Sequence, residues 1–182
     1  MIRIAKGALV ILALLSVQAK GQNLVVADMD DLRQILSGYH DVPGADYWKR
    51  LDPDSARQAL IQLSSNPSEM VHIRTRATLA LANFPNGQVE QHLLSVFTRE
   101  DRGYVRAAAV KAYSQVTGQA SLSTLEKALS DKEDLVRLSA IRSLGNLGGE
   151  QAAQLLEKKM ETEQDPVARD AFKRALSKTA RP

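Results

Sequence analysis

Between residues 73 and 175 the apolar positions form a helical stripe that returns four times. Val136, Ala140, Leu144 and Leu147 are spaced four, four and three apart. Thirty-one residues earlier stand Val105, Ala109, Tyr113 and Val116, and thirty-two before those Ile73, Ala77, Leu81 and Phe84. Thirty-one residues after the first set come Val167, Ala171 and Ala175. Spacings of three and four place such residues on one face of a helix. Gly87, Gly118 and Gly149 recur at the same interval, where a left-handed residue would end each helix. Seven residues beyond each glycine a second helix is marked by Leu94, Leu125 and Leu156, with Leu129 and Met160 four further on the same face. The polar links TREDRG, SDKEDL and TEQDP separate the units. In them Asp134 and Asp165 are predicted to cap the following helix, with Pro166 at its first position.

A helix pair of this size cannot bury its apolar stripe alone, so the units must stack. Complete units are expected over residues 73–100, 104–131 and 135–163, with a last helix over 166–177 whose outer face carries Arg169, Asp170, Lys173, Arg174 and Lys178. The expected fold is all-α, a right-handed α-solenoid of antiparallel helix pairs. Upstream the pattern weakens. Asp52-Pro53 opens a helix running to Ser65, which can serve as the second helix of a degenerate first unit, with Leu63 placed 31 before Leu94. Residues 28–37 are expected to be helical and 20–27 loose. Residues 39–51, containing Pro43, Gly44, Tyr47 and Trp48, are expected to cover the N-terminal end of the stack.

These residues resemble the HEAT-repeat family, in particular the short HEAT-like repeats of the phycobilisome-lyase type. Val136-Arg137, Ala140 and Leu144-Gly145-Asn146-Leu147-Gly148 carry the likeness best. Val105-Arg106 with Ala109 and Ile73-Arg74 with Ala77 repeat it, though Ser114 and Asn83-Phe84-Pro85 replace the glycine turn. The last unit has Val167-Ala168 with its arginine one place later, at Arg169. The resemblance spans residues 53–177 and concerns fold far more than activity. It implies that acids in the links bond the next repeat's arginine, as Glu100–Arg106 and Asp131–Arg137. Such pairs contribute about 0–1 kcal/mol each when exposed.

The first residues belong to another pattern. A basic start (Arg3, Lys6), an apolar run over residues 8–15 and small residues at Val17 and Ala19 form the layout of a secretory signal peptide, with cleavage expected after Ala19. The domain organisation is therefore read as signal peptide over 1–19, N-terminal segment and cap over 20–52, HEAT-like repeats over 53–177 and a tail over 178–182. Residues 1–19 hold two of the 24 basic side chains and no acid, leaving 22 basic against 21 acidic, a formal charge of +1. That balance gives no electrostatic footprint for nucleic acid. There is no cysteine, which removes disulfides, thiol catalysis and a lipidated N-terminal cysteine. A periplasmic location suits this combination best, with no stable membrane insertion once the leader is removed.

Candidate chemistry is sparse. His40, His72 and His92 are isolated, so no metal site is expected. The acids of ADMDD, residues 27–31, lack the glycine and distal glutamate of a calcium loop and are read as helix N-terminal acids. No Gly-x-Ser-x-Gly, Ser-x-x-Lys or phosphate-binding glycine loop occurs. Arg74, Arg106, Arg137 and Arg169, one per repeat, are read as a structural ladder tying each repeat to the link before it. Tyr47-Trp48 is read as an end cap before a binding site. The expected function is a protein-interaction module with no cofactor, which binds a protein partner and not nucleic acid. The alternative is a subunit of an enzyme, as in the lyases. The residues expected to meet the partner are His92, Arg99, Ser123, Lys127, Gln154, Lys158 and Glu161, on second helices taken to line the inner face.

Overall fold

A computed structural model of the chain describes residues 18–19, 22–38 and 43–179. The expected leader lies outside the described residues, apart from the two-residue strand Gln18–Ala19, which pairs antiparallel with Gln22–Asn23. Everything that follows is helical, an all-α HEAT-like solenoid.

The N-terminal end is built from α1 (Met29–Ser37) and the single turn α2 (Ala45–Trp48). Asp28 caps α1 by accepting from the N–H groups of Asp30 and Asp31, which accounts for the acids of ADMDD. Trp48 is 5% exposed and meets Phe84 edge-on with centroids 6.1 Å apart, while its indole N–H donates to the Pro43 carbonyl. It is a cap sealing the first repeat. Residues 20–27 were expected to be loose. From Val25 onward they are tied: Val25 N–H donates to Arg50 O at 2.8 Å and Asp52 N–H returns to Val25 O at 2.7 Å. No periodicity signals that pairing, because it joins backbone groups over a long sequence separation.

The repeats proper are α3 (Pro53–Ser65), α4 (Val71–Ala80), α5 (Gly87–Arg99), α6 (Gly103–Thr117), α7 (Leu122–Ala128), α8 (Asp134–Leu147), α9 (Glu150–Thr162) and α10 (Pro166–Thr179). The arginine-bearing helices α4, α6, α8 and α10 pack side by side, each against the next. Their partners α3, α5, α7 and α9 pack on that row and barely on one another. Small side chains permit the close row. Ala77, Ala109 and Ala140 are fully buried within it, and the Ser139 hydroxyl on α8 donates to Ala107 O on α6 at 2.8 Å. A stack packed tightly on one side and splayed on the other curves toward the tight side, so the arginine helices form its inner row.

The core is continuous through α6. Ala112, Tyr113 and Val116 pack toward the N-terminal half, whereas Ala107 and Val110 join Leu125, Ile141, Leu144, Leu156 and Phe172. At the far end a Cβ on Gly145 would lie 2.9 Å from both Cα and Cβ of Ala175. Gly145→Val should therefore push α10 off α8, destabilising the protein by about 1–3 kcal/mol. That corresponds to a fall in Tm of roughly 3–10 °C. Arg142→Ala, on the exposed side of the same helix, should stay within about 0.5 kcal/mol.

The register departs from the sequence reading in three places, for one reason: the repeat is 31 or 32 residues long, depending on the link. Gly87 does not close a helix. A 3-10 turn, Leu81–Asn83, ends that unit, and Gly87 opens α5 behind Asn86, whose side chain accepts from Val89 N–H at 2.9 Å. The second helix is thereby turned by one residue, burying Leu93 and leaving Leu94 39% exposed. Gly148 and Gly149 do take positive φ, 69° and 84°. The last repeat interval is also one residue longer, so Ala168 turns inward and Val167, expected in the core, is 66% exposed. Asp134 is the first residue of α8 and not its cap. Glu133 is the N-cap of α8 and gives it no side-chain cap bond, while the Asp131 carboxylate accepts from Glu133 N–H at 2.9 Å within the link. Asp165 caps α10 as expected, accepting from Val167 and Ala168.

Candidate functional site

Three of the repeat arginines clasp the link before them through backbone carbonyls, whereas Arg74 donates its Nε to Ser64 O in the last turn of α3. Arg106 Nη1 donates to Glu100 O and Asp101 O at 2.9 and 2.8 Å. Arg137 Nη1 donates to Asp131 O and Lys132 O, and Arg169 Nη1 to Met160 O and Glu163 O. The expected ion pairs Glu100–Arg106 and Asp131–Arg137 do not form. The carboxylates point one repeat back, pairing as Arg74–Glu100 and Arg106–Asp131. In the second pair Nε and Nη2 of Arg106 meet the two carboxylate oxygens at 3.1 and 2.8 Å. One arginine thus joins the link before it to the link after it. The third rung departs from this pattern, since Arg137 pairs with the exposed Asp134 on its own helix.

These clamps are nearly dry. The side chains of Arg106 and Asp131 are 6% and 11% exposed. Hydrogen bonding to Asp131 raises the Arg106 guanidinium above its ordinary value. Burial alone would raise the Asp131 carboxyl, but bonds from Arg106 and Glu133 N–H outweigh it and hold that carboxyl below the ordinary carboxylate range. Glu100 is lowered in the same way, against burial, by Arg102 N–H and Arg74.

Of the residues expected to meet a partner, Arg99, Ser123, Lys127, Gln154, Lys158 and Glu161 are exposed. They stand on α5, α7 and α9, the splayed row, and so on the outer side of the curve. His92 is different: it is half-buried against α3, its Nε2 2.7 Å from the Ser64 hydroxyl. Burial lowers its pKa. The folded value lies below the unfolded one, so protonation favours unfolding. Stability is therefore lost as pH falls through the ordinary histidine value, near 6.5. His92→Gln should remove that part of the loss between pH 7 and 5, as read by denaturant midpoints.

The family model described as HEAT repeats matches the chain over residues 90–177. The match runs from the first turn of α5 to the last turn of α10. Over that span the chain is similar to HEAT repeats. No curated protein sequence gives a significant match to the chain.

The HEAT-like array carries several cavities, among them one of about 470 Å³ between α7 and α9 lined by Glu126, Lys158, Lys159 and Glu161. A cavity of about 200 Å³ beside His92 is lined by Ser64, Arg74, Ser95, Arg99 and Glu100. Most of its polar groups already bond to each other: Arg74 to Glu100 and to Ser64 O, and His92 to Ser64. Another of about 210 Å³ opens between α8 and α10, where Arg137 and Glu163 stand unpaired with each other above Ile141 and Phe172. Among the described residues no group of three or more His, Cys, Asp or Glu side chains could hold a metal ion, and no helix is long and apolar enough to cross a membrane. The sequence reading missed the inner-row side chains, because it assigned the inner face to the second helices. The signal that could have found them was available: Tyr104, Lys111 and Gln115 recur as Leu135, Arg142 and Asn146 at the repeat interval.

Proposed function

We propose that the chain is an exported HEAT-like scaffold that binds a protein partner through its helical faces and performs no catalysis of its own. HEAT repeats commonly serve as protein-interaction scaffolds. One observation carries the reading for this chain. The repeat arginines and buried link acids are consumed in the clamps, and the polar positions left over align from repeat to repeat as continuous surfaces. A surface of that kind gains binding energy by spanning several repeats. The finer likeness to lyase-type repeats rests on the Val-Arg, Ala and Leu-Gly-Asn-Leu-Gly positions of α8. An enzyme-subunit role would need a pocket with free converging polar groups, and the polar groups around His92 are largely bonded to one another. Periplasmic location rests on the leader pattern alone, and N-terminal sequencing of the exported chain should begin at Lys20.

The test is affinity capture from envelope extract by the tagged mature protein, with the Arg99→Glu, Lys127→Glu, Lys158→Glu triple variant reporting on the outer row. A specific, stoichiometric protein partner supports the reading. If wild type retains no protein, or the purified chain alone turns over a substrate, the reading fails.

A further inference from the structure

We propose that the inner row of helices binds an acidic segment of a partner protein in polyproline II conformation, one carboxylate per repeat at every third residue. The proposal rests on the interaction-module reading and specifies its surface and its ligand.

The arginines fix the register, because Arg106, Arg137 and Arg169 each donate to the carbonyl six residues earlier, at Glu100, Asp131 and Glu163. Counted from them, equivalent positions on α4, α6, α8 and α10 fall into rows. Two residues before the arginines stand His72, Tyr104, Leu135 and Val167, all exposed. Tyr104 and Val167 are 67% and 66% exposed. Five residues after the arginines come Leu79, Lys111, Arg142 and Arg174, and nine after come Asn83, Gln115, Asn146 and Lys178. That equivalent positions do stand side by side is visible directly: Lys178 Nζ donates to Asn146 Oδ1 on the neighbouring repeat at 3.3 Å. The free face of the inner row is thus three parallel bands: apolar from Tyr104 to Val167, basic from Lys111 to Arg174, and amide from Asn83 to Asn146.

The middle band is the electrostatic signal. Lys111 and Arg142 are exposed and take part in no salt bridge among the described residues, and neither does the neighbouring Lys173. Arg174 shares its charge with Asp170 one turn earlier. Asp170 is the acid within this band. The link acids Asp101, Glu133, Asp134 and Asp165 lie beyond the apolar row. The outer row is mixed at the corresponding places, with Glu126 beside Lys127, and Glu157 and Glu161 around Lys158. The exposed charges of the inner row are thus mainly cationic, Lys111, Arg142, Lys173, Arg174 and Lys178 against Asp170, where those of the outer row are mixed, and an acidic ligand is the complement of the inner face.

Spacing selects the ligand's conformation. Helices packed through small side chains lie about 8–10 Å apart, so the cationic rungs repeat at about that distance. A β-strand presents same-facing residues about every 6.6–6.8 Å, which falls out of step within one repeat. A polyproline II segment has three residues per turn and rises about 3.1 Å per residue, so its same-facing residues recur about every 9.3 Å. An Asp/Glu-x-x-Asp/Glu-x-x-Asp/Glu segment lying across the helices therefore meets Lys111, Arg142 and Arg174 in turn. Its intervening residues rest on Tyr104, Leu135 and Val167, as proline-rich segments rest on aromatic-lined grooves. Gln115 and Asn146 flank the basic band on the other side, within reach of its backbone groups.

The test uses fluorescence anisotropy with the full mature chain and two labelled peptides of one composition, glutamates at every third position in one and clustered in the other. The periodic peptide should bind at least about fivefold more tightly, and Lys111→Glu with Arg142→Glu should weaken it by about tenfold or more. Helical content should be unchanged, and the outer-row triple variant should bind as wild type. Equal binding of the two peptides, or indifference to the reversal at Lys111 and Arg142, overturns the proposal. So does tighter binding of single-stranded DNA or anionic vesicles that the same reversal abolishes, which would make phosphate the ligand. A captured partner that survives the reversal at Lys111 and Arg142 sinks this proposal and leaves the module reading standing. Wild-type protein that captures nothing removes the module reading itself.

Discussion

Replacing Arg106 with alanine should destabilise the protein by about 3–5 kcal/mol, because it strands the Asp131 carboxylate in a nearly dry site. It also leaves the Glu100 and Asp101 carbonyls without a donor. Against a total stability of about 5–15 kcal/mol, that is a large fraction, and a Tm fall of roughly 6–20 °C is expected for a chain of this size. The charge explains the cost. Asp131→Asn keeps an acceptor for Glu133 N–H without burying a lone anion, so adding it to Arg106→Ala should recover part of the loss. The pair also dictates a pH dependence. Asp131 and Glu100 have folded pKa values below their unfolded ones, so their contribution is present above the unfolded carboxylate range, about 4. It disappears as pH falls through the lower folded values. Thermal melts of wild type and the Arg106 variant should draw closer in strong acid, where the lost carbonyl bonds still separate them.

Leu144→Asp should be more severe and more local. Leu144 is fully buried where α8 meets its neighbours, in the cluster with Leu125, Leu156 and Phe172. Losing its packing alone costs about 2–5 kcal/mol, and burying a carboxylate without a partner adds several more. The sum is comparable with the stability of the whole chain. In a stack each repeat contacts only its neighbours, so α7 to α10 should lose amide-exchange protection first, while α3 to α5 keep theirs behind α6. Leu135→Asp is the control. It lies on the same helix but is 38% exposed, and it should shift stability by no more than about 0.5 kcal/mol.

These two leucines show what was legible in the sequence. Spacings of three and four separate Leu144 from Leu135 without coordinates, because burial on a helix is a matter of phase. The same phase information located α3 with its Asp52 cap, α8 and α10. It failed where the phase is reset. One extra residue in a link turned Val167 outward and exchanged Leu94 for Leu93, and a count fixed at 31 cannot register the change. The partners of the arginines were not legible either. Glu100 and Asp131 stand close in sequence to the arginines that follow them and pair with those that precede them, since stacking brings the earlier repeat alongside. The two faces depended on which helix row packs tightly. Ala107, Ala108, Ala140 and Gly145 mark that row in hindsight as the one where backbones approach. The surface we propose was therefore half legible: its polar, aligned character follows from the register, while its location on the inner row requires the packing.

The most direct test of the central claim, that the aligned helical faces bind a protein, is site-specific photocrosslinking in the intact cell. A photoreactive residue is placed in turn at Tyr104, Leu135 and Val167 on the inner row and at Ser123 and Gln154 on the outer row, and adducts are resolved by mass. One discrete protein adduct shared by the three inner positions and absent from the outer two is the expected result. No protein adduct from any of the five positions would contradict the claim.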